Sequence, residues 1–322
     1  MASAHQTPFD CRAIPAGAVE SRWQAADGWS IRRIDWSVQA GPAKGSILFV
    51  PGRGDFYEKY LETLAHWHQL GWNVTASDWR GQGDSGRLGT DAVTGHIDDF
   101  GTWTADLGQL WAMWKASTPG PHVLAAHSMG GHLALRAAAE RLVDPAALIL
   151  SAPMLGFTAS QLPEAVMHQA AKLMKALGDP RRPAWKWSEA PGEVPETRAK
   201  LLTHDADRYA DELWWRDHRR ELVMGPGSWG WVERAYASMR YLGRAEVLAQ
   251  IKVPVLIVAT DSDRLVGWKA IARAATHLPD CELVHFGSEA CHEILREVDP
   301  VRTRALAACD AMLARVAASG AP

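Results

Sequence analysis

The chain has 322 residues, 47% hydrophobic and 22% charged, which is enough apolar content to bury a large core and argues against disorder. Its 34 basic and 37 acidic side chains leave a net charge of -3, spread along the chain, so there is no basic field to attract nucleic acid phosphates. The longest apolar runs, 146–150 and 253–259, fall well short of the roughly 18 to 20 residues that span a bilayer.

From Met1 to Asp10 there is neither the basic start nor the apolar run of a leader, so a cytoplasmic location is expected, with any membrane contact peripheral. Segments 21–25 and 29–38, flanking Ala26-Asp27-Gly28, read as an antiparallel hairpin. Short apolar runs at 46–50, 72–77, 122–127, 146–151, 253–259 and 281–286 then alternate with helical patterns at 56–70, 98–117, 129–142, 268–277 and 301–317. This is the rhythm of a mostly parallel central sheet with helices on both faces. It breaks once, between 154 and 245, where the helical patterns 161–177 and 206–220 are separated by a Pro-rich loop at 179–195. We read 1–153 and 246–322 as the core and 154–245 as a helical cap inserted into it.

Within the insertion, Leu162, Val166, Ala170, Leu173 and Leu177 recur near helical spacing with Met167 and Met174 beside them. Core packing is the simpler account, and a face toward an acyl chain or a lipid surface is the sharper one. The 16 tryptophans divide the same way, including the pairs Trp185/Trp187, Trp214/Trp215 and Trp229/Trp231. Cys11, Cys281, Cys291 and Cys309 show neither Cys-x-x-Cys pairing nor a His spacing suited to zinc, so they are expected to be reduced and mostly structural.

Chemistry enters at 122–135, where a β pattern runs directly into a helical one with Ser128 at the junction, in Ala-His-Ser-Met-Gly. A tight strand-to-helix turn lifts a serine hydroxyl clear of the backbone, and small neighbours are needed because other chain passes close. Ala126 stands where the Gly-x-Ser-x-Gly form has its first Gly. A serine hydroxyl needs a base to take its proton and a carboxylate to orient that base. Asp261 and Asp263 lie just past the strand 253–259, and His292 follows the strand 281–286, with His277 and His285 as rivals inside a helix and a strand. His127 and His132 are expected on other faces of their elements. An oxyanion hole requires the N–H after the nucleophile, on Met129, and one from a loop after an early strand, where Gly52-Arg53-Gly54 offers Arg53. The segment 80–86 is Gly-rich but lacks the Gly-Lys-Ser/Thr ending of a phosphate-binding loop, so a turn ordering the catalytic face is expected there.

Taken together, Pro51-Gly-Arg-Gly-Asp-Phe-Tyr-Glu-Lys-Tyr, Asp78-Trp-Arg-Gly-Gln-Gly-Asp-Ser-Gly, His127-Ser-Met-Gly-Gly-His, Leu202-Thr-His-Asp, Asp263-Arg-Leu-Val and His292-Glu-Ile-Leu resemble the monoacylglycerol lipase and bacterial lysophospholipase branch of the α/β hydrolases, through most of the chain. The resemblance implies the α/β-hydrolase fold with a helical lid. It implies Ser128 as nucleophile, Asp263 rather than Asp261 as acid, His292 as base, Arg53 and Met129 N–H groups as the oxyanion hole, and no metal or organic cofactor. The partner so implied is a small-molecule lipid or ester, with peripheral membrane contact through the cap; oligomeric state is left open. Pro51 departs from the family's His before the Gly, and Ala126 from its Gly. Neither departure removes a catalytic group. Acyltransferase or peptidase chemistry shares the same residues, and a non-catalytic binding protein shares the fold.

Overall fold

A computed structural model describes residues 9–158, 162–186 and 196–319. Its frame is one sheet of eight strands: β1 (Ala18–Gln24), β2 (Ser30–Trp36), β3 (Ser46–Val50), β4 (Asn73–Ser77), β5 (His122–His127), β6 (Ala147–Ser151), β7 (Val255–Thr260) and β8 (Cys281–Phe286). Their order in space is β1-β2-β4-β3-β5-β6-β7-β8. The β1–β2 hairpin and the β2–β4 pair are antiparallel and every later pair is parallel.

The sheet is buried on both faces at its centre, and side-chain alternation sorts the apolar residues into two cores. On one face Leu48, Val50, Leu124, Ala126, Leu148, Leu150 and Ile257 meet helices α2 (Phe100–Ser117), α3 (Met129–Ala139) and α9 (Trp268–His277). On the other, Ile47, Phe49, Val123, Ala125, Ile149 and Val258 meet α1 (Leu61–Gln69) and α10 (Asp299–Ser319). Nine of the described tryptophans are buried in these cores, and six of them give the indole N–H a partner, among them Trp79 to the Pro51 carbonyl at 2.8 Å, Trp103 to the Arg80 carbonyl at 3.0 Å and Trp114 to Thr75 Oγ1 at 2.9 Å.

Several boundaries differ from the sequence reading for local reasons. The helix expected over 56–70 is a single 3-10 turn, Tyr57–Tyr60, followed by α1. The helix expected from 98 starts at Phe100, because the Asp99 carboxylate caps it by accepting from Gly101 N. The strand expected from 253 begins at Val255, just past Pro254, which has no N–H for the ladder.

Between β6 and β7 the described residues form helices α4 (Glu164–Ala176), α5 (Glu196–Leu202), α6 (Ala206–His218), α7 (Trp229–Leu242) and α8 (Ala245–Leu248). α7 sends Trp231, Ala235, Met239 and Leu242 into the core shared with α2 and α3. α4 rests on α7 through His168, which faces Glu233 at 3.2 Å, and through buried Ala171. Core packing does not account for its apolar stripe: Leu162, Val166, Leu173 and Leu177 are 58%, 49%, 59% and 59% exposed. Trp185 is exposed, while Trp215 and Trp231 are buried; Gln161 and Trp187 lie outside the described residues. Among the described residues no helix is long and apolar enough to cross a membrane.

Candidate active site

Ser128 sits between β5 and α3 with φ 51° and ψ -117°. That conformation is strained for a residue with a Cβ and persists only where its surroundings hold it. Three backbone hydrogen bonds do so. Ser128 N–H donates to the Ser151 carbonyl at 2.9 Å, and the Ser128 carbonyl accepts from His132 N at 3.1 Å and Met154 N at 2.9 Å. Gly130 is required by the crossing of the β3 end, since a Cβ there would meet the carbonyl oxygens of Pro51 at 2.4 Å and Val50 at 2.6 Å. Ala126, by contrast, is a buried core residue whose methyl is accommodated.

The turn after β8 brings His292 Nε2 to 2.9 Å from Ser128 Oγ, and His292 Nδ1 lies 2.7 Å from Asp263 Oδ2. Asp263 follows β7, and its other oxygen accepts from Leu265 N at 2.7 Å and Val266 N at 3.0 Å, which fixes the carboxylate plane. Burial alone would discharge this pair. Burial raises the Asp263 carboxyl, but His292 and the two backbone N–H groups outweigh it and hold the acid below its ordinary value. Burial likewise opposes a charged His292, but the Asp263 carboxylate outweighs it and lifts the imidazole above its ordinary value.

The rival residues fall elsewhere. Asp261 Oδ2 pairs with His285 Nε2 at 3.0 Å, both about half exposed, and the His285 ring stacks on Trp268. His132 is buried in the core side of α3 and bonds Ser238 Oγ at 2.7 Å. His127, expected on another face, instead packs its ring 4.7 Å from that of His292. Burial, and then the nearby charge of His292, push it well below the ordinary histidine range, so it stays neutral.

Gly52-Arg53-Gly54 passes directly over the serine: a Cβ on Gly52 would come 3.1 Å from Ser128 Cβ. The loop is pinned at both ends. Gly52 N–H donates to Asp55 Oδ2 at 3.2 Å and Gly54 N–H to Gln82 Oε1 at 2.7 Å, so the Gly-rich 80–86 turn does order this face. The Arg53 side chain extends away, donating to the Gly225 carbonyl at 2.8 Å and lying over Trp185 and Trp231. Met129 is the first residue of α3, where the N–H has no partner within the helix, and the Gly52-Arg53-Gly54 loop passes over the same end of that helix.

Behind the site lies a group that sequence reasoning missed. The fully buried Lys59 ammonium stands 2.8 Å from Asp55 Oδ1, 3.0 Å from Glu212 Oε2 and 2.5 Å from Glu293 Oε1. Arg296 joins by pairing with Glu293 and with Glu212. Burial opposes the ammonium, and the three carboxylates overcome it. Lys59 thus ties the loop over the serine, the residue after His292, and α6. The sequence carries Asp55 and Lys59 four residues apart at the start of a helix-like pattern, and local periodicity gives no means of pairing Lys59 with the distant Glu212 and Glu293.

With a hydroxyl at hydrogen-bond distance from an imidazole and a carboxylate behind that imidazole, the arrangement can run nucleophilic acyl transfer.

The Hydrolase_4 family model, described as serine aminopeptidase, S33, matches residues 41–299. Lysophospholipase L2 of Escherichia coli (strain K12) is 29% identical over 280 residues, 81% of this chain and 77% of that protein. A probable lysophospholipase L2 of Haemophilus influenzae is 26% identical over 271 residues, 81% of this chain and 80% of that protein. Among solved structures, a soluble variant of monoglyceride lipase from Saccharomyces cerevisiae with a substrate analog aligns with a TM-score of 0.74 at 19% identity, covering 96% of this chain and 98% of that one. Paleococcus ferrophilus monoacylglycerol lipase gives 0.68 at 20% identity, with 88% and 98% covered. At these identities the structural likeness speaks to the fold.

Proposed function

The chain belongs to the Hydrolase_4 family, as an α/β hydrolase of the monoacylglycerol lipase and lysophospholipase type, and from that premise we propose that it hydrolyses carboxylic esters of medium or long acyl chains through an acyl-enzyme. The observation that carries this reading is the unbroken chain of hydrogen-bond distances from Ser128 Oγ through the His292 ring to Asp263.

Ser128 Oγ attacks the acyl carbon while its proton passes to His292 Nε2. Asp263 holds the ring with Nδ1 protonated and stabilises the imidazolium that forms. The carbonyl oxygen, now an oxyanion, takes hydrogen bonds from the N–H groups of Met129 and Arg53, each contributing about 10²- to 10³-fold in rate in sites of this kind. His292 returns its proton to the leaving alcohol as the C–O bond breaks. It then draws a proton from water, whose oxygen attacks the acyl carbon, and passes that proton to Ser128 Oγ as the bond from the acyl carbon to Oγ breaks, which releases the acid and free Ser128.

The substrate class rests on two supports. The relatives carry lysophospholipase and monoglyceride lipase names, and residues 154–245, which we take as the cap, present the exposed stripe Leu162, Val166, Leu173 and Leu177 with Trp185. An amphipathic helix of this kind seats its apolar face at the headgroup boundary of a lipid surface, where monoacylglycerols and lysophospholipids reside.

The test is kcat/KM on monoacylglycerols, lysophospholipids, short esters and an aminoacyl anilide, beside Ser128→Ala. Each methylene buried contributes about 0.8 kcal/mol, about fourfold in specificity, so a rise with acyl length beyond four carbons is expected. A flat profile beyond four carbons overturns the lipase reading, and preference for the anilide would make the protein a peptidase. Failure of a fluorophosphonate to label Ser128 would leave a binding protein.

A further inference from the structure

None of the four cysteines has zinc-like spacing along the chain, yet the fold gathers one of them with two other donors. The turn after α5 lies against the segment that follows His292: Glu293 N–H donates to the Leu202 carbonyl at 2.8 Å, and Thr203 Oγ1 to the Arg296 carbonyl at 2.8 Å. This docking places His204 Nδ1 2.9 Å from Glu297 Oε1, with Cys291 Sγ 3.7 Å from Nδ1 and 3.6 Å from Nε2 of the same ring. Sulfur, nitrogen and oxygen donors all lie within 4.8 Å of one another.

Those separations match a tetrahedral cation. Zinc binds thiolate at about 2.3 Å and imidazole at about 2.0 to 2.1 Å, which puts sulfur and nitrogen about 3.5 Å apart across one tetrahedral edge. The hydrogen-bonded His204–Glu297 pair needs to open by only about 0.5 Å to span the nitrogen–oxygen edge. Glu297 is fully buried and already oriented, its carboxylate accepting from the backbone N–H groups of Cys291 at 2.7 Å and Val298 at 3.1 Å. His204 is 46% exposed, which leaves an entry path and room for a solvent ligand.

A second group of similar donors makes the contrast. Asp55, His127 and Glu293 also cluster within 4.8 Å, but the Lys59 ammonium stands 2.8 Å from Asp55 and 2.5 Å from Glu293 and fills that role. At Cys291 the partners are one buried carboxylate and one imidazole, with no ammonium or guanidinium among the three donors, so the donor set is soft and carries a carboxylate charge. Burial and the Glu297 charge push the Cys291 thiol up to about 11, and that same negative charge favours a cation.

We infer that His204, Cys291 and Glu297 form a binding site for a thiophilic divalent cation, zinc by its donor set, with solvent as fourth ligand, one residue from His292 and separate from the reacting groups. On binding, the Cys291 thiol loses its proton to solvent. The His204 ring proton moves from Nδ1 to Nε2, and the Nδ1 lone pair goes to the metal. Glu297 Oε1 supplies a lone pair while its carboxylate keeps the backbone N–H groups. The bound ion clamps the His292 segment to the α5–α6 turn. The site stands on its own geometry, whatever substrate Ser128 serves.

The experiment titrates the full chain with Co²⁺ and with Zn²⁺. One equivalent of Co²⁺ should produce a thiolate-to-metal charge-transfer absorption, absent in Cys291→Ser and retained in Cys281→Ser. Competition with a chromophoric chelator should show Zn²⁺ bound at least tenfold more weakly by His204→Gln, whose exposed position leaves folding intact. Free Zn²⁺ at 100 times its Kd should raise Tm by about 4 °C. Absence of the charge-transfer band at millimolar Co²⁺, its survival in Cys291→Ser, or Zn²⁺ affinity unchanged in both variants overturns the inference.

Discussion

Asp263 Oδ2 lies 2.7 Å from His292 Nδ1 with its other oxygen held by two backbone N–H groups, so the imidazole has one available orientation. In the proposed reaction His292 is the base, which works only when neutral. Its value is raised above the ordinary histidine range, so kcat/KM should be full at higher pH and fall as pH drops through a midpoint above about 6.5. Asp263→Asn removes the charge that offsets burial: the midpoint should move down and kcat should drop about 10⁴-fold. Asp261→Asn, whose carboxylate meets only His285 and Ser262 at the surface, should leave both within twofold. A pH–rate series on the three proteins checks this.

Lys59→Met leaves Asp55, Glu212 and Glu293 buried without their shared cation. Breaking a buried ion cluster from one side costs about 3 to 5 kcal/mol, so the urea midpoint should fall with an unchanged m-value. Adding Glu212→Gln to Lys59→Met removes one of the stranded charges and should recover part of the loss. Equal midpoints for wild type and Lys59→Met would show that the cluster contributes nothing to the fold.

At Gly130 an added methyl meets two backbone carbonyls, those of Val50 and Pro51, rather than a movable side chain. The strand end must shift and carry Gly52 and Arg53 with it. Gly130→Ala should therefore lose about 1 to 3 kcal/mol by overpacking and about 10²-fold in kcat by displacing Arg53, the proposed oxyanion donor. Ala126→Gly, at a site where the methyl already fits, should keep kcat within twofold. Steady-state kinetics beside thermal unfolding separates the two effects.

The stripe on α4 can be tested without touching the reacting groups. Val166→Glu with Leu173→Glu changes two exposed positions, so stability should move by no more than about 0.5 kcal/mol each. Each apolar side chain withdrawn from a lipid surface is worth about 1.5 to 3 kcal/mol. Sedimentation with phosphatidylcholine vesicles and turnover of vesicle-embedded monoacylglycerol should both drop at least tenfold, while a soluble short ester is hydrolysed as before. Unchanged vesicle binding would remove the lipid-surface role of α4.

Local pattern made the strand and helix order legible, and with it the place of Ser128, because a strand needs only alternation and a run of apolar residues, and the turn between β5 and α3 is encoded within a few residues. The sequential order of Ser128, Asp263 and His292 was readable for the same reason: each follows a recognisable strand. Which of two aspartates meets the histidine was open to the residues alone, and two residues of turn geometry separate Asp261 on the surface from Asp263 beneath it. Only tertiary structure decided three further things. It made Lys59, in a segment read only as the start of a helix, the centre of a buried ionic hub, because its partners Glu212 and Glu293 lie far along the chain. It left the α4 stripe outside the core, because α7 takes the place over α2 and α3. It joined Cys291 and Glu297 to His204, which no spacing rule could pair, because long-range contacts are set by how helices dock on the sheet and not by periodicity along the chain.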